Sequence, residues 1–141
     1  MRLLSLCTFI TILSTISFTC RADDIQKQFL DTHNVARSQS RGPSPNLEGH
    51  LGFGSPYGEN YKYGYGAFGP EQTVNTWISE RSDYNHDSNT CKAKSDCSHY
   101  TQVVWRNSVY VGCAITYCGA GWPYVACEYY PPGNIPGQSP Y

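Results

Sequence analysis

Five cysteines within residues 91–127 are the feature that most constrains how this chain can fold. They are Cys91, Cys97, Cys113, Cys118 and Cys127. With 141 residues, the chain is one domain with a modest core. In an oxidising compartment such cysteines form disulfides, and an odd number leaves one thiol without an internal partner. A zinc site is the alternative, but the chain lacks a Cys-x-x-Cys pair and its cysteine spacing is unusual for zinc.

Residues 1–22 have the pattern of a secretory signal peptide. Arg2 supplies the positive start, Leu3–Phe18 is apolar but diluted by Ser and Thr, and Ala22 offers a small residue before the cut. A single-pass membrane anchor is the alternative, but the stretch is short and rich in hydroxyls for that role. We therefore predict a secreted chain that begins at Asp23, without stable insertion in a membrane.

The charge of the chain argues against nucleic acid as its partner. Removal of residues 1–22 takes away Arg2 and Arg21, so the net charge falls from −1 to −3. The sequence also contains no run of Lys and Arg, which nucleic-acid-binding proteins use to contact phosphates.

The apolar spacing predicts three helices. The first runs from Asp23 or Asp24 to about Ser38, with His33 on its apolar face; the second begins at Pro70; the third is short and carries Ser98–Trp105. Residues 39–69 are rich in Gly, Pro, Ser and Tyr, and the segment Arg41-Gly-Pro-Ser-Pro45 predicts a turn or loop.

Two segments rich in Val, Ile, Tyr and Thr follow the third helix. Residues 109–117 and 124–130 predict an antiparallel hairpin, in which a Cys113–Cys127 bridge is geometrically plausible. The tail after Tyr130 holds four prolines and two glycines, so it cannot form regular structure. Helices on a small antiparallel sheet make the fold class α+β.

Several short motifs recur in one order along the chain. The sequence contains Tyr57-Gly-Glu-Asn60, Trp77-Ile-Ser-Glu80, His99-Tyr-Thr-Gln-Val-Val-Trp105 and Pro131-Pro-Gly-Asn134. In these motifs the chain resembles the CAP superfamily (cysteine-rich secretory, antigen 5 and pathogenesis-related class-one proteins), in particular its plant pathogenesis-related branch. The resemblance implies an α-β-α sandwich over residues 23–130, with 1–22 as signal peptide and 131–141 as tail.

The resemblance also implies a cleft of two histidines and two acids. Glu59, Glu80 and His99 match the motifs directly, and His50 is the candidate for the first histidine, although Leu51 follows it where the family has Ser. Neutral imidazole and carboxylate suit zinc or another divalent ion, and they could also act as acid and base in hydrolysis. A structural hydrogen-bond cluster is the third interpretation, and no activated nucleophile marks a catalytic site. His33 and His86 are interpreted as structural or solvated.

One departure from the family lies between residues 38 and 49, where a Pro-Leu-x-Trp segment, an amphipathic helix and a cysteine are missing. The resemblance pairs Cys91 with Cys97 and Cys113 with Cys127. It leaves Cys118 unpaired, because its usual partner is the missing cysteine. We therefore expect a sandwich that lacks one core helix, and a chain that is mainly monomeric but could form a dimer through Cys118. A poorly folding partial copy without function is the alternative.

The function implied by the resemblance is plant defence in the apoplast. The abundant tyrosines and tryptophans could line a groove for a sterol or fatty acid, or they could serve ordinary packing. A protein that binds lipid in this way would be non-catalytic and would need no cofactor, and it would act against fungi or oomycetes. A metal-dependent hydrolase is the alternative. The tail resembles a signalling peptide released by a cut between Tyr130 and Pro131 and bound by a receptor. The alternative is a disordered or surface-packed tail.

Overall fold

The computed structural model describes residues 23–40, 48–49, 57–118 and 121–141. The predicted signal peptide, His50 and most of the 38–49 segment lie outside the described residues. The helices are α1 (residues 23–38), α2 (Pro70–Ser79) and α3 (Ser98–Val103). The strands are β1 (Glu48–Gly49), β2 (Gly58–Tyr63), β3 (Tyr84–Asn85), β4 (Thr90–Cys91), β5 (Tyr110–Cys118) and β6 (Trp122–Tyr130).

Local chemistry explains where α2 and α3 begin. Pro70 occupies the first helical position of α2, where its missing N–H costs nothing, and Gln72 Oε1 accepts a hydrogen bond from the Gly69 N–H at 3.2 Å. Asp96 Oδ1 accepts from the Ser98 N–H at 2.8 Å at the start of α3. All three predicted helices are therefore confirmed, with α3 two residues shorter than expected.

The main sheet has the order β1-β5-β6-β2. The predicted β5–β6 hairpin is confirmed and pairs Cys113 directly with Cys127, while β2 pairs antiparallel with β6 on its other side. The two-residue β1 pairs parallel with β5, so the sheet is antiparallel except at this end. Strands β3 and β4 form a separate two-stranded sheet.

The described helices all contribute to a core on one face of this sheet, which we call the inner face. Phe29 of α1, Trp77 of α2 and Val103 of α3 are buried in one cluster with inner-face side chains of the sheet. The inner-face members of that cluster are Val111, Cys113, Val125, Cys127 and Tyr129. Because strand side chains alternate, the intervening residues of β5 and β6 point to the opposite, outer face. The α+β class is thus confirmed.

Arg37 ties α1 to the turn that follows α3. Its guanidinium is buried and donates to the main-chain oxygens of Trp105 at 2.7 Å and Ser108 at 2.9 Å. It also donates to Val103 O at 3.2 Å. Burial lowers the pKa of Arg37 to about 10. A charged side chain here satisfies carbonyl groups that the helix end leaves without intrahelical partners.

The disulfides follow the pairing implied by the resemblance. Cys91 is bonded to Cys97, and Cys113 to Cys127. Cys118 is the free cysteine of the part of the chain that the structure describes, and it is exposed at the end of β5. The 113–127 bridge links strands that are already in register, so it reinforces the hairpin.

The tail from Pro131 to Tyr141 has no regular secondary structure, as its prolines predicted. It is nevertheless packed against the domain, since Pro140 is buried and Tyr141 packs against the core cluster. Surface packing is therefore what the structure shows for this segment.

Candidate ligand-binding site

Glu80 and His99 form a hydrogen-bonded pair where α2 ends and α3 begins. Glu80 is the first residue of the 3-10 turn after α2, and its Oε1 lies 2.7 Å from His99 Nδ1. Its other carboxylate oxygen, Oε2, accepts from the Tyr100 N–H at 3.0 Å. The hydrogen bond to Glu80 raises the pKa of His99, and burial of the imidazole acts in the opposite direction.

His99 makes two further contacts, one through its ring and one through its main chain. It stacks on the Trp77 indole with ring centroids 6.1 Å apart and an angle of 3° between the planes. Asn60 Nδ2 donates to the His99 main-chain oxygen at 3.0 Å. The motif residues Asn60, Trp77, Glu80 and His99 therefore meet in space, although they come from a strand, two helices and the turn between them.

A cavity of about 270 Å³ opens beside this pair. It is lined by Tyr61, Lys62, Tyr63, Thr76, Trp77, Glu80 and His99. Its volume is close to the lower end of the range for small-molecule sites. The sequence pointed to Glu80 and His99 through their motifs. It gave no signal for Lys62 and Thr76, which join β2 to α2 by a 2.6 Å hydrogen bond.

Glu59 is not brought to the Glu80–His99 pair. Its neighbours Asn60 and Lys62 contact the helices, so the alternation of strand side chains places Glu59 on the outer face, where it is exposed. His50 lies outside the described residues. Of the three predicted residues that the structure describes, Glu80 and His99 therefore come together and Glu59 does not.

Among the described residues, Glu80 and His99 are the two predicted donors that come together, whereas protein zinc sites use three or four ligands. Within residues 23–40, 48–49, 57–118 and 121–141, no three His, Cys, Asp or Glu side chains are grouped to hold a metal ion. Glu80 engages the Nδ1 of His99, so Nε2 is the ring nitrogen left to bind a metal ion or a ligand. These ranges therefore bring together two of the three or four protein ligands that a zinc site uses, and the predicted ligand His50 lies outside them.

His33 belongs to a buried network that the sequence did not reveal. Its Nε2 lies 2.7 Å from the Tyr129 hydroxyl and its Nδ1 lies 2.8 Å from the Phe29 main-chain oxygen. Asn60 Nδ2 donates to the same Tyr129 hydroxyl at 3.3 Å. Burial lowers the pKa of His33 to about 4. His33 is therefore a neutral, structural histidine at neutral pH.

Aromatic side chains collect on the outer face of β2 and β6 and at the turn after β2. The Tyr61 ring is nearly parallel to those of Tyr63 and Tyr124, with centroids 6.3 and 6.2 Å away, and Tyr65 contacts Trp122 at 3.9 Å. We call these five residues the aromatic patch. Exposure reaches 48% for Tyr61, 66% for Tyr63 and 80% for Tyr65.

A family comparison accounts for the shared motifs. The profile of the CAP, or cysteine-rich secretory protein, family matches residues 22–129. The chain belongs to the CAP family. As a CAP protein it is 42% identical to pathogenesis-related protein 1A of Nicotiana tabacum, over 89% of this chain and 86% of that protein. It is 40% identical to pathogenesis-related protein 1 of Arabidopsis thaliana, over 86% and 85%.

Solved CAP structures share the fold. A structure of NaASP2 with Zn2+ matches with a TM-score of 0.65 and 22% identity, covering 83% of this chain and 84% of that one. MpPR-1i matches with a TM-score of 0.57 and 17% identity, covering 80% and 91%. In the part of this CAP chain that the structure describes, none of the helices has the length and apolar character needed to cross a membrane.

Proposed function

We propose that this chain is a secreted, non-catalytic defence protein of the plant pathogenesis-related type that binds a sterol or a similar lipid at the aromatic patch. The observation that carries the proposal is the exposure of Tyr61 and Tyr63 on a sheet face that the described helices leave open, together with that of Tyr65 in the turn that follows. Large exposed apolar surfaces on soluble domains commonly mark interaction sites. The resemblance to plant pathogenesis-related proteins supports the role in defence.

The patch suits a flat, mainly apolar ligand that carries a hydroxyl group. Nearly parallel tyrosine rings offer apolar faces against which fused rings can pack, and their hydroxyls can exchange hydrogen bonds with a single polar group. Glu59, exposed on the same face, adds an acceptor at its edge. A sterol combines both features, whereas a charged sugar or nucleotide would use little of this surface.

The test is saturable binding of a fluorescent sterol to the secreted protein. Removing two rings in Tyr61→Ser/Tyr63→Ser should weaken binding at least tenfold, since burial of each aromatic ring is worth about 1.5–3 kcal/mol. Tyr117→Ser is the matched control, because Tyr117 is 70% exposed but points to the inner side of β5. Equal losses of sterol affinity in both variants, or equal sterol binding by the reduced and unfolded chain, would rule out the aromatic patch as the sterol site.

Hydrolysis is a second candidate function, because Glu80 and His99 form an acid–base pair at 2.7 Å beside a cavity. Such a pair can transfer protons during ester or peptide cleavage. This hypothesis predicts activity that disappears in both His99→Ala and Glu80→Gln. The absence of any peptide or ester hydrolysis by the purified protein, with and without added zinc, would exclude it.

The tail as a released signal is a third proposal, favoured by the exposure of residues 134–139. The bond that would be cut is held against the two residues that precede β5, since the Val109 N–H donates to Tyr130 O at 2.9 Å and Ser108 Oγ to Pro131 O at 2.8 Å. A protease therefore needs the tail to lift away first. The test is mass spectrometry of extracellular fluid for a fragment beginning at Pro131. A fragment that stays absent during pathogen challenge counts against this role.

A further inference from the structure

The tail is attached to the domain at two separated points. Near its start, Gly133 N–H donates to Gln102 Oε1 at 3.0 Å, and the Asn134 side chain bonds to Thr101 Oγ1 at 2.7 Å and to the Ser98 main-chain oxygen at 2.9 Å. Residues 134–139 between the two points are exposed. The second attachment is formed by Pro140 and Tyr141.

At the second attachment, the domain contacts several chemical groups of the Pro140-Tyr141 pair. Pro140 O accepts from the Arg106 N–H at 2.7 Å, and Tyr141 O lies 2.8 Å from His86 Nε2. The Tyr141 ring stacks on the His86 imidazole with centroids 4.8 Å apart and planes 10° apart. Its hydroxyl is 2.9 Å from that of Tyr100. Both main-chain oxygens, the ring and the hydroxyl are therefore contacted.

These contacts come from a part of the domain whose residues are also joined to one another. The Tyr84 and Tyr100 rings pack at 5.8 Å, and the Tyr84 hydroxyl donates to Asn89 Oδ1 at 2.8 Å. Tyr84 follows the 3-10 turn that carries Glu80, and the Cys91–Cys97 disulfide braces the loop beyond it. A cavity of about 440 Å³, lined in part by Arg81, Tyr84, His86, Tyr100 and Tyr141, opens alongside the ring.

We propose that Tyr84, His86, Tyr100 and the Arg106 N–H form a peptide-recognition site for a Pro-Tyr pair, and that residues 131–141 occupy it as an intramolecular ligand. The ligand class is a flexible peptide that ends in, or presents, proline followed by tyrosine. The adjoining cavity provides space for a ligand larger than the tail itself. This site is on a different part of the domain from the aromatic patch, and it requires neither sterol binding nor cleavage of the tail.

Tethering explains how the site should behave in the intact chain. A ligand on a short linker has an effective concentration in the millimolar range, so a free peptide competes poorly with it. Binding of a free peptide to this site becomes measurable when the contacts that the tail makes there are weakened. Tyr141→Ala removes the ring and the hydroxyl while keeping the full chain, and it leaves the first attachment at Gly133 and Asn134 in place.

The experiment is an NMR titration of the isotope-labelled full chain with a synthetic peptide of sequence Asn134–Tyr141. The Tyr141→Ala protein should bind this peptide at least tenfold more tightly than the wild type does, with shifts of the Tyr84, His86, Tyr100 and Arg106 amide signals. The control peptide has alanine in place of its last tyrosine, and it should bind at least tenfold more weakly. Adding His86→Ala to Tyr141→Ala should reduce binding of the tyrosine peptide at least fivefold.

Two results would overturn the proposal. One is equal affinity of the Tyr141→Ala protein for the two peptides; the other is no shift of the four amides at a peptide concentration of about 1 mM, where even weak binding would be detected. Should Tyr141→Ala lose native tryptophan fluorescence, the same titration uses Tyr141→Leu, which retains apolar bulk but lacks the hydroxyl. The same two criteria apply to that variant.

Discussion

Burial of His33 should make the fold sensitive to mild acid. The imidazole is fully buried, and its ring nitrogens contact the Phe29 carbonyl and the Tyr129 hydroxyl. Since Asn60 donates to that hydroxyl, the hydroxyl can donate onward to His33 Nε2, an arrangement that satisfies the neutral ring. Protonation would place a charge in the core next to Arg37, and burial accordingly lowers the pKa of His33 to about 4.

The sign and size of the effect follow from linkage. The unfolded chain, with its histidine pKa near 6.5, binds more protons than the folded chain between pH 6.5 and 4, so stability falls as the pH falls through this window. At 1.36 kcal/mol per pKa unit, the shift is worth about 3 kcal/mol, a large part of a typical total of 5–15 kcal/mol. His99 has a raised pKa, so its contribution is lost as the pH rises through that value, outside this window.

The assay is urea unfolding, followed by tryptophan fluorescence, at several pH values from 7 to 4. The wild type should lose about 3 kcal/mol, or about 1.5 M in urea midpoint for a slope of about 2 kcal/mol/M. His33→Gln should be less stable at pH 7 but should lose much less on acidification. Asn60→Ala, which breaks the same network but keeps the titrating group, should retain the wild-type dependence. An unchanged dependence in His33→Gln would refute the reasoning.

Three further outcomes test other parts of the structure. Glu80→Gln should lower the pKa of His99 toward its ordinary value, as measured by NMR titration; an unaltered titration curve would mean that their hydrogen bond is not the cause. Mass analysis of the non-reduced secreted protein, after thiol labelling, should find two disulfides and one label on Cys118; scrambled bridges would support the poorly folding partial copy. Gly133→Ala should cost about 1–3 kcal/mol in thermal or urea unfolding, because its Cβ would lie 2.7 Å from buried side-chain atoms. Gly69→Ala, which has open space, should cost much less, and equal costs would contradict the packing of the tail.

Much of the fold could be predicted from short-range signals. Pro70 marks the start of α2, and the β-branched and aromatic residues around Cys113 and Cys127 mark the hairpin. These features depend on residues close in sequence, so they can be recognised without knowing the tertiary structure. The Glu80–His99 pair was accessible only through the family resemblance, because its members come together across the end of one helix and the start of another.

Other features depended on information that the sequence does not carry locally. The side on which Glu59 lies is set by the register of β2 against β6, and a change of one residue would reverse it. Packing of the tail depends on contacts with residues far away in sequence, such as His86 and Arg106. Composition could therefore predict that the tail lacks regular structure, but not that Tyr141 is docked.

The position of β2 at the end of the described sheet has a consequence for how concentrated solutions of this protein behave. An outermost strand presents a row of main-chain N–H and C=O groups that can template pairing with another molecule. Here the row is only six residues long, and Gly64, with a φ of 159°, and Gly66, with a φ of 87°, follow directly. Six residues are enough for cross-β stacking, and the tyrosines of β2 favour it. The charged side chains of Glu59 and Lys62 on this strand are therefore the feature that opposes pairing between edges.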